Sequence, residues 1–237
     1  SRRQRQMCIR DRYKNGYNIS VVFTQPPQKS HRGQKINKSP IQSISETLNI
    51  DYRTPKTLKD NQEEYEFLKK LNADLAIVCA YGQIIPKNFL NLTKKGFVNI
   101  HASILPSWRG AAPIQRSIMN LDPETGISIM KMNEELDSGP ISNIYKIKIG
   151  KNQNAQEISE KLSTLAAEKI LDNVDDILED KAKFIDQDHS KATYAKKIHK
   201  EESQIDWDGD ASKIIGKING LFPSPGASFI FNNERYK

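Results

Sequence analysis

The chain has 237 residues, of which 37% are hydrophobic and 27% charged. That is enough to bury a core without a disulfide or metal staple, and too apolar in places for wholesale disorder. The formal net charge is +7, but the first twelve residues hold five arginines against one acid and supply +4 of it, leaving +3 for the other 225; any case for RNA must rest on local patches.

No run approaches the roughly 20 consecutive apolar residues of a membrane helix. Cys8 and Cys79 lie far apart, with no Cys or His at metal-ligand spacing, so neither a disulfide framework nor a zinc ribbon is expected. Residues 1–12 show no hydrophobic period and fit neither a signal nor a transit peptide. They read as a basic arm for nucleic acid or, the preferred reading, as a non-native segment.

From there, strands and helices alternate. Residues 19–24 (ISVVFT) read as a buried strand ended by Gln25, Pro26 and Pro27. A polar loop follows, with Lys29, His31, Arg32, Lys35 and Lys38 close together. Residues 61–71 are helical in composition, 74–80 and 96–101 read as further buried strands, and Pro113 opens a helix through Ile118. Residues 127–132 and 141–149 alternate as strands. Residues 154–178 form the longest helix, with Asn154 as cap and Glu157 in capping-box position; Ile158, Leu162, Leu165, Val174 and Ile177 are its core stripe. This alternation predicts an α/β fold with a mostly parallel sheet covered on both faces. Residues 186–204 are polar, carry Lys191, Lys196, Lys197 and Lys200, and read as a linker. Residues 205–237 resume with Trp207, a helix over 211–218 and a short FIF strand.

Asn99 and His101 stand two apart at a strand end, so their side chains share a face, and ligands of open parallel sheets bind beyond the carboxyl ends of the strands. An amide and an imidazole there suit carbonyl chemistry: one donates to a developing oxyanion, the other moves a proton near neutral pH. Spacing alone fits a capping Asn and a surface His equally well. Leu136-Asp137-Ser138-Gly139 forms a turn between two strands. Its Asp would orient a nearby imidazole, or simply make the turn.

Three segments carry a resemblance: NIHASILPSWRGAAPIQRSI (residues 99–118), ETGISIMKMNEELDSG (124–139) and TYAKKIHKEESQIDW (193–207). Through them the chain, from about residue 17 to 231, resembles the formyltransferases that use 10-formyltetrahydrofolate, and among these the branch acting on methionyl-tRNA. The resemblance implies a Rossmann-like catalytic domain over 13–185, a linker over 186–204, and over 205–237 the start of a small OB-like β-barrel that binds tRNA. It implies Asn99, His101 and Asp137 as the catalytic residues. Ser103, Ile104, Leu105 and Pro106 would line the reduced-folate site, and Arg32, Lys29 and Lys35 would meet the tRNA acceptor stem. The implied reaction transfers the formyl group of 10-formyltetrahydrofolate to the α-amine of methionyl-initiator tRNA for translation initiation. It needs no covalent enzyme intermediate and no metal.

A cytoplasmic, bacterial-type monomer with no membrane partner is expected, organellar targeting being unreadable from this N-terminus. The family's opening strand and Gly-Thr-Pro turn are not found, and the C-terminal domain breaks off early, so a fragment cut at both ends is expected. A related transferase acting on an amino sugar or nucleotide amine, and an inactive fragment, stand as alternatives.

Overall fold

A computed structural model of the chain describes residues 9–30 and 35–237, with 28–30 and 35–36 placed as backbone. Helix α1 (residues 9–14) buries Ile9 against Val22, Ile41, Ile44 and Ile50. Residues 9–12, set apart by composition with the basic opening, therefore pack into the fold. Strand β1 (Val22–Phe23) is followed by a hairpin of β2 (Gln28–Ser30) and β3 (Lys35–Asn37), where a polar loop was expected, and by helix α2 (Pro40–Thr47), which the sequence reading did not include. The start signal lies in the sequence: Ser39 accepts the Gln42 N–H at 3.0 Å and Pro40 stands in the first turn, where its missing N–H costs nothing. Strand β4 (Tyr52–Arg53) then returns to pair in parallel with β1.

Helix α3 (Gln62–Leu71) is capped by the Asn61 side chain. Strand β5 (Ala76–Val78), helix α4 (Lys87–Leu90) and strand β6 (Phe97–His101) follow. Next come the short strand β7 (Arg109–Gly110), helix α5 (Pro113–Met119), strands β8 (Glu124–Lys131) and β9 (Ile141–Lys148), and helix α6 (Ala155–Leu178). The Asn154–Glu157 capping box of α6 is fully formed. Its stripe of Ile158, Leu162, Ala166, Ile170, Val174 and Ile177 packs on Val98, Ile100, Ile127 and Ile129 of the sheet. Burial of that stripe, rather than helix propensity, supplies most of the stability of α6.

The central sheet has the order β5-β6-β8-β9. Parallel pairing holds in the first half, β1 with β4 and β5 with β6; β6, β8 and β9 pair antiparallel. Connection length accounts for the β8–β9 pair: a parallel return needs about a dozen residues or more, usually including a helix, whereas only residues 132–140 join β8 to β9.

Beyond Phe184 the segment read as a linker is pinned along its length. Strand β10 (Tyr194–Ala195) pairs in parallel with β7, and Gln187, Ala195 and Ser203 are buried. Helix α7 (Ala211–Leu221) and the hairpin of β11 (Phe229–Phe231) and β12 (Glu234–Tyr236) complete the described chain.

Candidate active site

Parallel strands β5 and β6 place Val78 opposite Asn99, so the segments leaving both strands flank the same end of the sheet. Asn99 and His101 share one face there, and that face meets the 132–140 loop. In this loop Asp137 adopts a left-handed backbone, φ +46°. Its Oδ1 accepts from Asn99 Nδ2 at 3.4 Å, and its Oδ2 accepts the Gly110 N–H at 2.8 Å. The same Oδ2 lies 3.5 Å from His101 Nδ1. The three residues singled out in the sequence are thus brought together, at a place where both His101 and Asp137 are largely buried and their mutual charge interaction is less screened than at the surface.

The other nitrogen of the ring, His101 Nε2, lies 3.0 Å from the Trp108 carbonyl oxygen. A carbonyl only accepts, so that partner assigns a proton to Nε2. Nδ1 faces the Asp137 carboxylate at 3.5 Å, beyond the distance of a formed hydrogen bond. Trp108 itself has φ +62°, costly for a bulky side chain by about 1–2 kcal/mol. It is held there by its indole N–H on Asp122 Oδ2 at 2.7 Å and its backbone N–H on Thr193 Oγ1 at 2.9 Å.

The loop after β6 is fixed by Ser128, the residue paired with His101 across the sheet. The Ser128 hydroxyl donates to Ser103 O at 2.7 Å and accepts the Leu105 N–H at 3.0 Å. Ser103 and Leu105 are buried, and the Ser103 hydroxyl donates to Ser107 O at 2.6 Å. Their side chains are therefore used within the protein, and the partly exposed Ile104 and Pro106 are what this loop offers a ligand. The 79–86 segment after β5, which the sequence reading did not single out, leaves the sheet beside the end of β6. Ile84 there is 87% exposed, and Leu136 on the 132–140 loop is 62% exposed. The Lys87–Glu134 ion pair at 2.5 Å ties the two segments together. Burial pushes the Tyr81 phenol up to about 12, so it stays neutral near pH 7.

On the far side of β7 lies a cleft of about 460 Å³ lined by Arg116, Tyr194, Lys196, Lys197, His199 and Glu202. Because β10 pairs with β7, this basic cleft begins next to Gly110, whose N–H touches Asp137. Arg32 lies outside the described residues, and the side chains of Lys29 and Lys35 do too; only the backbone positions of these two lysines, in the β2–β3 hairpin, are placed. Among the described residues, no group of three or more His, Cys, Asp or Glu is placed to hold a metal ion, and no helix is long and apolar enough to cross a membrane.

Comparison with known proteins gives the family. The family model "Formyl transferase" matches residues 3–174, and "Formyl transferase, C-terminal domain" matches residues 197–237. The chain is 66% identical to the methionyl-tRNA formyltransferase of Pelagibacter ubique, covering 97% of this chain and 74% of the relative. The chain belongs to the formyl transferase family, among the methionyl-tRNA formyltransferases. The enzyme of the same name from Dictyoglomus turgidum is 43% identical, covering 93% of this chain and 70% of that one. Among solved structures, a 4-N formyltransferase from Francisella tularensis superposes with a TM-score of 0.75 at 23% identity, covering 97% of this chain and 90% of that one, which supports the formyltransferase fold.

Proposed function

We propose that Asn99, His101 and Asp137 catalyse transfer of the formyl group of 10-formyltetrahydrofolate to the α-amino group of methionine esterified to initiator tRNA. The observation that carries this reading is the convergence of an amide, an imidazole and a carboxylate beyond the end of β6. As the amine adds to the formyl carbon, the formyl oxygen gains negative charge. Asn99 Nδ2–H and a protonated His101 Nδ1–H, which converge on the Asp137 carboxylate, are the two donors available in this largely buried site to stabilise it. Asp137, within reach of both, stabilises the imidazolium and accepts the proton the amine sheds, through a water, for return to the departing nitrogen. The amine is itself a competent nucleophile, so no side chain need bond to the substrate.

The donor's binding is supported by exposed or partly exposed apolar side chains on segments that reach the site, Ile84, Leu136, Ile104 and Pro106, which suit a heteroaromatic ring. The acceptor's fit is supported by the basic cleft: Lys196 and Lys197 stand where phosphates of an RNA end would approach Asp137, and such contacts position the end without reading sequence. Arg32, Lys29 and Lys35 belong to this reading as further tRNA contacts. The enzyme acts in the cytoplasm, as a monomer.

The test is formyl transfer to methionyl-tRNA in competition with a nucleotide-linked amino sugar, for the wild type and His101→Ala. Methionyl-tRNA should be the preferred acceptor, and His101→Ala should cut kcat about 100- to 1,000-fold while donor binding persists. Preference for the sugar would replace the acceptor, and a near-wild-type kcat in the variant would remove His101 from the chemistry.

A further inference from the structure

Arg109 carries a guanidinium that is only 3% exposed, yet among the described residues no carboxylate pairs with it. Its Nε and Nη2 donate to Gln187 Oε1 at 3.1 and 2.6 Å, and its terminal nitrogens lie 3.4 Å from His189 Nδ1. Keeping a buried cation without an acid is costly, and an apolar side chain would fill the space more cheaply. The charged fork does something an apolar side chain could not. Arginine only donates, so it forces the oxygen of the Gln187 amide towards itself and the nitrogen the other way.

That nitrogen donates both of its hydrogens, to Asp137 O at 3.0 Å and Gly139 O at 2.7 Å. Gln187 is 6% exposed and its amide is fully satisfied, with no alternative orientation. The two carbonyls it grips bracket the turn that holds Asp137 in its left-handed backbone, a conformation that persists only where the surroundings over-determine it. The neighbouring Gly110 N–H takes the Asp137 carboxylate from the other side. Strand β7 therefore restrains Asp137 twice, through its own backbone and through the Arg109–Gln187 pair.

We propose that Gln187, locked in one orientation by Arg109, is a positioning residue for formyl transfer, clamping the 137–139 turn so that the Asp137 carboxylate stands against His101 and Asn99. The proposal rests on the reading of Asp137 as a catalytic residue. It brings a residue from the polar segment after Phe184 into the machinery of the catalytic domain.

The experiment is a double-mutant cycle of Gln187→Met with Asp137→Asn, measuring kcat and the KM for donor and methionyl-tRNA, with the thermal midpoint of each variant. Gln187→Met should lower kcat about 10- to 100-fold, the range expected when a reacting group is misplaced by about 1 Å, with both KM values within about threefold of wild type. In the Asp137→Asn background the same change should cost less than about twofold, because its effect passes through the carboxylate. Gln187→Glu keeps Arg109 paired but replaces the clamping donors with an acceptor. It should lose the same factor in kcat, and serves if Gln187→Met does not fold. A kcat within twofold of wild type in the folded Gln187 variants, or a full multiplicative loss on top of Asp137→Asn, overturns the proposal. Asp137→Asn alone at wild-type kcat would instead overturn the catalytic reading on which it rests.

Discussion

Ile84 has almost its whole side chain in water, on a segment that leaves β5 beside Asn99 and is tied across to the 132–140 loop by Lys87 and Glu134. An exposed Ile is ordinary in isolation. With the exposed Leu136 on the loop tied to it by that ion pair, it becomes a candidate contact for the formyl donor in the proposed reaction. Ile84→Ser should then raise the KM for the donor by roughly fivefold, the effect of losing about 1 kcal/mol of apolar burial, with kcat and the KM for methionyl-tRNA unchanged. Steady-state kinetics with each substrate varied in turn would show it, and an unchanged donor KM would move the donor away from Ile84. The ion pair between the two segments is exposed on both sides and contributes little stability of its own, so the placing of Ile84 depends on the packing of the two segments rather than on the Lys87–Glu134 contact.

At the scale of elements, the docking of α7 on α5 depends on two glycines. A Cβ at Gly216 would come within 3.1 Å of Ile118 O and 2.7 Å of Leu121 Cδ2. At Gly220 it would meet Gln115 O at 3.0 Å and Met119 Cγ at 2.6 Å. The Leu121 and Met119 side chains must shift, and the carbonyls of Ile118 and Gln115 must give by a few tenths of an ångström, so the close packing of the two helices is disturbed. Gly220→Ala, although it favours the helix itself by about 1 kcal/mol, should destabilise the protein by about 1–3 kcal/mol; urea unfolding would reveal a net stabilisation if the close approach were not needed. The elements were legible in the sequence wherever a period and a cap coincided. The α6 helix with Asn154 and Glu157, and β6 with Asn99 and His101 on one face, stand nearly as read. Helix α2 was hidden because its polar flanks masked the Ser39-Pro40 start. The pinned state of residues 186–204 was hidden because its cause lies far away in sequence: Ala195 is buried by pairing with Gly110, and Gln187 by gripping Asp137 and Gly139. In the site, Asn99 and His101 could be paired by spacing, but Asp137 could be joined to them only through the family resemblance, since nothing local brings residues 38 apart together. Ser128, Trp108 and Gln187 carried no sequence signal, because their roles depend on where β8, the 103–110 loop and the 186–204 segment meet.

Across the whole molecule, the C-terminal part of the chain is joined to the first part by the packing of α7 on α5 and, through the segment before α7, by Arg116 of α5. Its guanidinium donates to Glu202 at 2.7 and 3.0 Å and to the carbonyls of Lys196 and Lys197 at 3.1 and 3.3 Å. One cation thus shapes the basic cleft and ties down the segment that forms it. The hydrogen bonds from Arg116, more than any other influence, hold the Glu202 carboxyl below the usual carboxylate range. A carboxyl depressed in the folded state and ordinary in the unfolded one binds more protons when unfolded. Its contribution is therefore complete above the ordinary carboxylate range and is lost as pH falls through its lower folded value. The pair is partly exposed, so solvent screening limits the contribution to about 1 kcal/mol or less. Glu202→Gln should accordingly lower stability by up to about 1 kcal/mol at pH 7, and the gap to wild type should close towards pH 3, where the wild-type carboxyl is also neutralised. Urea midpoints at the two pH values would measure this. A gap that stayed constant would mean that Glu202 acts through its shape and neutral hydrogen bonds, and that the tie between the two parts does not depend on its charge.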